Sequence, residues 1–307
     1  MEDLKTKITL FRSLFRGRED VFATRWEKGN KSGYMPAYFY DPYHYRAYKM
    51  NGGTFQNYPD KSYLPLTDEQ VARHLNGAQF IGLYPLLPDN TSWFIAADFD
   101  EQDWITACKR FMEECDKISV PVYLERSRSG NGGHAWIFFD KPYPAHKSRK
   151  IILSLLTTSG IVSSFDKNTS FDRLFPNQDY LSGKGLGNLI ALPLHLSSVQ
   201  NGNNCFMDSV TMEPYVDQWH FLQSIKHVPT EHLERIYSDL SQQRGIENSS
   251  TDQLIIKLNN AIQLNRNGVN RVLINFLKEE LNFPSTEFII KKNSGRNTFG
   301  TNRYSGS

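Results

Sequence analysis

The stretch Trp93-Phe-Ile-Ala-Ala-Asp-Phe-Asp100 constrains the fold most: it is apolar until its end, where two carboxylates stand one residue apart. We read it as a strand. Side chains alternate along a strand, so Asp98 and Asp100 point to one side while Phe99 turns into packing. Two carboxylates a few ångströms apart repel, and each raises the other's pKa unless a cation lies between them. Hard oxygen ligands at a strand end suit Mg²⁺ or Mn²⁺. Taken alone, the same pattern fits a solvated turn after a strand, because the DxD string is common.

The surroundings are those of an α/β protein. A helix is expected from about Asp103 to Lys117, with Trp104, Cys108, Phe111, Met112 and Cys115 on one face. Val120-Pro-Val-Tyr-Leu124 and Ala135-Trp-Ile-Phe-Phe139 bracket a Gly- and Ser-rich turn and predict a hairpin. Upstream, Leu4, Ile8, Phe11 and Phe15 set a helical spacing within residues 1–25. Residues 30–65 read as loops with short strands, and Thr67 opens a capped helix reaching about Gly77. Strands are expected at Phe80–Tyr84 and Asn188–Leu192, and a helix over 148–159. Beyond about Pro229 the pattern turns helical and polar. Gly245 to Asp252 reads as a linker, Leu254 to Leu281 as one or two helices, and 294–307 as a disordered tail.

Two further segments carry chemistry. Glu125-Arg-Ser-Arg-Ser-Gly-Asn-Gly-Gly-His134 is Gly-rich and ends on a histidine at a strand start. Glycines let backbone N–H groups wrap an anion, Arg126 and Arg128 neutralise phosphate, and His134 donates to it. The competing reading is a flexible hairpin turn with a capping histidine. No GK[ST] follows, so this is not a Walker A loop. In Ser170-Phe-Asp-Arg-Leu-Phe-Pro-Asn-Gln-Asp179, Asp172 sits at a strand edge, where a surface ion pair with Arg173 is the bland alternative.

Together and in this order, Ala97-Asp-Phe-Asp100, Gly132-Gly-His134 and Phe171-Asp172 resemble the three motifs of the archaeo-eukaryotic primase superfamily. Longer strings narrow the resemblance. Leu14–Val21, Leu83–Asp89, Glu125–Gly132, Phe171–Asp179, Gly187–Leu194 and Asp217-Gln-Trp219 are similar to the primase domain of TOTE conflict systems and to CRISPR-associated primase-polymerases, over roughly residues 10–225.

The resemblance implies a nucleotidyltransferase, a DNA primase and DNA-directed polymerase. It would join dNTPs or NTPs on a single-stranded DNA template and primer by a two-metal mechanism using Mg²⁺ or Mn²⁺. Asp98, Asp100 and Asp172 would hold the ions, and His134 would act with them. Arg126, Ser127, Arg128, Ser129, Asn131, Gly132 and His134 would meet the triphosphate. The strand at Asn188 carries no arginine, so Gln178, Lys184 or His195 would assist. Template contacts would come from Arg12, Arg16, Arg18, Lys28 and Lys31. The implied fold is a catalytic core with an RRM-like mixed sheet plus an N-terminal α/β lobe, the site lying in the cleft between them. The expected divisions are 1–235 (catalytic), 236–293 (helical) and 294–307 (tail). Residues from 236 onward are expected to serve priming. Helicase, nuclease or CRISPR adaptation partners follow from the resemblance alone. The stretch between Tyr45 and Tyr63 has no cysteine where many relatives carry a cluster, so no zinc is expected there; aromatic packing by Tyr45, Tyr48, Tyr58 and Tyr63 would replace it.

Composition permits this reading without compelling it. The net charge is only +2, so nothing in the bulk composition marks a dedicated DNA-coating protein. Cys108, Cys115 and Cys205 form no CxxC pair, which fits a reducing compartment. No run approaches the ~18 apolar residues of a transmembrane helix. A cytoplasmic protein without a membrane partner is expected. Two alternatives stay open: a non-catalytic single-stranded nucleic-acid-binding module with a primase fold, and a metal-dependent nuclease using the same carboxylates.

Overall fold

The computed structural model describes residues 3–100, 103–162, 170–183, 185–249, 287–293 and 296–302. Its centre is β6 (Thr91–Asp100), the strand that carries the paired carboxylates. The chain continues through α4 (Trp104–Lys117), β7 (Tyr123–Arg126), β8 (Gly132–Pro144), α5 (Ala145–Thr158) and β9 (Phe171–Phe175). With β11 (Cys205–Phe206) at one edge, the sheet order is β11-β7-β8-β6-β9. This is a β-α-β-β-α-β unit of the RRM kind. The sheet is antiparallel throughout rather than mixed. Strands running the same way are always separated by one running the other way, so none pair side by side.

Alternation gives this sheet two apolar faces. Ile95, Ala97, Phe99, Ala135 and Ile137 pack against Cys108, Phe111 and Cys115 of α4 and Ile151, Ile152 and Leu156 of α5. Phe94, Ala96, Trp136 and Phe138 face the opposite way, onto a lobe built by the N-terminal segment. That lobe opens with α1 (Leu4–Leu14), whose Ile8, Phe11 and Leu14 are buried. Its second sheet, order β10-β5-β1-β2, joins β1 (Ala23–Lys28), β2 (Lys31–Pro36), β5 (Ile81–Leu83) and β10 (Ile190–Ala191). Helix α1 stops well before residue 25. Gly17 lies so close to the Tyr84 carbonyl that a Cβ would stand 2.5 Å from it, which pins an extended segment there.

Between β2 and β5 lie β3 (Tyr38–Tyr40), α2 (Pro42–Met50), β4 (Lys61–Tyr63) and α3 (Asp68–Leu75). Helix α2 arises where loops were expected. Asp41 caps it by accepting from the Tyr43 and His44 N–H groups, and Pro42 opens the first turn. Aromatic packing holds this region. Tyr58 meets Tyr45 and Tyr48 at 5.3 Å, and Tyr38 stacks on Tyr63 at 5.1 Å. The ammonium of Lys61 donates to the Phe55 and Gln56 carbonyls beneath the Tyr38 and Phe55 rings. Thr67 caps α3 as expected, accepting from the Gln70 N–H.

After β10 come α6 (Leu196–Val199), β11, α7 (Gln218–Gln223) and α8 (Thr230–Ser249). Leu233, Ile236, Tyr237 and Leu240 of α8 pack on the α4/α5 core. The boundary expected at 235 therefore falls inside a docked helix. The helix also runs through Gly245, where a linker was expected; one glycine costs about 1 kcal/mol, too little to stop an established helix. The chain divides into two compact units, Met1–Gln243 and Arg244–Ser307. In the second, β12 (Glu287–Asn293), at the end of the stretch expected to be helical, pairs antiparallel with β13 (Arg296–Asn302), in the stretch expected to be a disordered tail. The β-branched and aromatic residues near Ile289 and Phe299 favour strands despite the Gly- and Ser-rich composition. The helices expected over Leu254 to Leu281 lie outside the described residues. No helix among the described residues is long and apolar enough to cross a membrane.

Candidate active site

Register assembles the site. In the β7–β8 pairing Glu125 lies opposite His134, in β8–β6 His134 lies opposite Asp98, and in β6–β9 Asp98 lies opposite Arg173. Directly paired residues share a face. Four side chains of alternating sign thus run in a row across four strands, on the face away from α4 and α5. One residue further along, β9 bulges. Asp98 pairs with Arg173 but Phe99 with Phe171, leaving Asp172 as the extra residue. Such a bulge re-aims a side chain, and carboxylate oxygens of Asp98, Asp100 and Asp172 lie within 4.8 Å of one another.

The electrostatics suit a cation. Burial, with repulsion from Asp100 and Asp172, pushes the Asp98 carboxyl up to about 6 against the pull of His134. Three hard oxygen donors gathered this closely form a set that could hold a metal ion. Arg173 donates to Asp172 at 2.7 Å, so the expected ion pair exists within the cluster rather than instead of it.

His134 is oriented from behind. Its Nδ1–H donates to Glu125 Oε2 at 2.9 Å, while Nε2 stands 3.6 Å from Asp98 Oδ1. Burial opposes the imidazolium, but Glu125, with Asp98 and Asp100 behind it, pushes the ring up to about 9. Glu125 is fully buried and also accepts from Trp136 Nε1–H at 2.9 Å and from Asn204 Nδ2–H at 2.9 Å. Sequence reasoning gave Glu125 no role. Parity along the hairpin would have found it, since Glu125 and His134 pair across the turn.

The turn itself separates the residues expected at the triphosphate. Arg126 follows Glu125 and so lies on the opposite face; its guanidinium donates to the Gly202 and Met212 carbonyls. Arg128 is half-buried, has no hydrogen bond or ion pair to another described residue, and lies near Tyr34 and His195. Ser127 and Ser129 share a hydroxyl hydrogen bond of 3.0 Å, and Ser129 Oγ accepts from the exposed Asn131. Gly132 is needed for packing: a Cβ there would stand 2.5 Å from the Phe99 carbonyl and closer still to Asp100 Oδ1. His195 stacks on Phe80 at 4.5 Å, and its N–H donates to Asn204 Oδ1. Gln178 is exposed beside Gly187, and Lys184 lies outside the described residues. Among the expected template contacts, Arg12 pairs with Glu19 and Asp68, Arg18 pairs with Asp20, and Arg16 stacks on Trp93 at 3.2 Å.

A family model for the archaeo-eukaryotic primase domain of TOTE conflict systems matches residues 6–236. The chain belongs to this family. Membership supports a primase-like, nucleotidyl-transferring function for this TOTE primase domain. No curated protein matches it significantly. Among solved structures it is similar to the polymerase domain from Mycobacterium tuberculosis ligase D in complex with DNA. The two are 11% identical, the match covers 78% of this chain and 87% of that chain, and the TM-score is 0.37.

Proposed function

We propose that this TOTE primase domain is a DNA-templated primase-polymerase, transferring a nucleotidyl group from a dNTP or NTP to a 3′-hydroxyl or an initiating nucleotide. The observation that carries the reading is the convergence of Asp98, Asp100 and Asp172 on one spot beside a histidine held by a buried carboxylate.

Two divalent ions, Mg²⁺ or Mn²⁺, would lower the pKa of the attacking hydroxyl and neutralise the triphosphate and leaving pyrophosphate. The chain's own part is positioning and charge, which is most of what phosphoryl transfer requires. Asp98, Asp100 and Asp172 would hold the cations. His134, whose ring Glu125 turns so that Nε2 faces the Asp98 side, would in its protonated form present Nε2–H to a phosphate oxygen. Arg128, free of partners among the described residues, is the arginine of the turn available to the triphosphate. Arg173, which donates to Asp172 at the edge of the cluster, would be a second guanidinium within reach of the triphosphate. Arg126 holds the loops at Gly202 and Met212 and is not proposed as a phosphate ligand. Template binding through phosphates and stacking would be salt-dependent and weak in sequence preference.

The test uses unprimed single-stranded DNA, labelled nucleotides and Mg²⁺ or Mn²⁺, beside an Asp98→Ala/Asp100→Ala variant. Short products from the wild type alone are expected. Extension of primed template without priming would leave a polymerase lacking initiation. DNA binding with no incorporation on either template would refute the reading and leave a binding module; metal-dependent incision without nucleotides would indicate a nuclease.

A further inference from the structure

We propose that Glu125 is the positioning residue of the active-site histidine and that, through Asn204, it also ties the segment Leu192–His195 to the same site. The inference rests on the proposed nucleotidyl-transfer reading for its kinetic consequence, but not for its structural content.

Glu125 is fully buried, and a carboxylate removed from water costs several kcal/mol unless its oxygens are satisfied. Here both are. Oε2 accepts from His134 Nδ1–H and Trp136 Nε1–H, and Oε1 accepts from Asn204 Nδ2–H, all at 2.9 Å. A group needed only to fill this space would be apolar, because apolar neighbours such as Phe206 surround it in the same layer. The carboxylate instead selects one orientation of the His134 ring: with Nδ1–H committed to Glu125, Nε2 must face the Asp98 side. A hydrogen-bonded partner behind a functional imidazole fixes the ring in this way.

Asn204 extends the arrangement. It is fully buried and adopts a positive φ of 55°, a conformation asparagine tolerates better than most residues. Its amide donates to both Glu125 and the Leu192 carbonyl at 3.2 Å, and its oxygen accepts from the His195 N–H at 3.0 Å. Leu192 follows β10, a strand of the other sheet. One carboxylate therefore sets both the histidine and the approach of the N-terminal lobe's sheet to it.

The test has two arms on the full chain. In the first, ¹⁵N-histidine spectra of the wild type should show His134 Nδ1–H as a downfield, slowly exchanging proton, assigned by its loss in His134→Asn. Glu125→Gln should shift it upfield or abolish it. The same resonance at the same position in Glu125→Gln would overturn the proposal. In the second arm, primer extension is compared for Glu125→Gln, His134→Asn and the double variant. Glu125→Gln is expected to lower kcat/KM for the nucleotide by about ten- to a hundredfold, with template Kd unchanged. In the His134→Asn background it should add no further loss, because both act through one group. Independent, multiplying losses would mean that Glu125 does not act through His134, and wild-type kinetics in Glu125→Gln would also overturn the proposal. If Glu125→Gln fails to fold, Glu125→Asp keeps the charge but withdraws it by one methylene; wild-type spectra and kinetics there would refute the proposal. A wild type that incorporates no nucleotide refutes the proposed function, while the spectroscopic arm still decides the role of Glu125.

Discussion

Adjacent glycines at the head of β8 face opposite sides of the sheet, so one methyl group placed on each should separate metal binding from stability. At Gly132 an added Cβ would lie 2.5 Å from the Phe99 carbonyl oxygen and nearer still to Asp100 Oδ1, where ordinary contact begins at 3.4 Å. The carbonyl belongs to the neighbouring strand and cannot yield by rotation. β6 and β8 must therefore part by about 1 Å at the site end, or the Asp100 carboxylate must swing away. Overpacking of this kind costs about 1–3 kcal/mol, roughly 2–12 °C in Tm for a unit of this size. Displacing one of three carboxylates should weaken Mn²⁺ binding by about tenfold or more, or ~1.4 kcal/mol. At Gly133 the Cβ would instead meet the Trp104 ring at 2.5 Å and the Glu125 carbonyl at 2.9 Å, on the helix side. Gly133→Ala should therefore melt earlier by a similar amount yet bind Mn²⁺ within about twofold of wild type. Free Mn²⁺ measured by electron paramagnetic resonance, beside a thermal melt, reads both quantities. Wild-type Mn²⁺ affinity in Gly132→Ala, or an equal loss of affinity in both variants, would refute the assignment of the two faces.

Three further outcomes follow. His74 is fully buried; its Nδ1 accepts from the Ile81 N–H and its Nε2–H donates to the Pro193 carbonyl, so the ring is held neutral, and burial depresses it from 6.5 to about 4. The unfolded chain takes up that proton first, so this contribution is intact above pH ~6.5 and falls by about 3 kcal/mol as the pH drops to about 4; His74→Gln should flatten the fall of denaturant midpoint over that range, and an unchanged profile would contradict it. Arg126→Ala should lose about 1–3 kcal/mol of stability by orphaning the Gly202 and Met212 carbonyls, whereas Arg128→Ala should melt like wild type and raise nucleotide KM about tenfold; the reverse pattern would invert their roles. A chain ending at Gln243 should melt as cooperatively as the full chain, whereas one ending at 235 strips Ile236, Tyr237 and Leu240 from the core and should lose about 3 kcal/mol; equal melts would show that this stretch of α8 contributes nothing.

What was legible in the sequence is what short-range periodicity encodes. The run ending in Asp98 and Asp100, the hairpin leading to His134 and the helix from Trp104 all occupy the expected places. Partnership across strands was not legible. Arg126 and Arg128 look equivalent as letters, yet one sits on a strand, turned to the helix face, and the other lies past the strand end in the turn. Glu125 looked like the leading residue of a basic loop, because its burial depends on Trp136 and on Asn204, 79 residues away. Asp172 was found by resemblance, but the bulge that aims it depends on pairing with β6. Helix α2 was missed although Asp41-Pro42 is a recognisable helix opening, because the tyrosine- and glycine-rich composition around it weighed toward loops.

The row Glu125–His134–Asp98–Arg173 gives the protein a single point of failure. A slip of one residue in any of the three pairings would carry that strand's member of the row to the α4/α5 side, putting a charged or polar side chain into that apolar core. Misfolding at the site therefore cannot be local or graded. Molecules in a preparation should divide into fully competent and wholly inert, and a weakened variant should lose active fraction before it loses turnover per active molecule. Active-site titration, set beside bulk rate, would then be the natural way to describe damage to this enzyme.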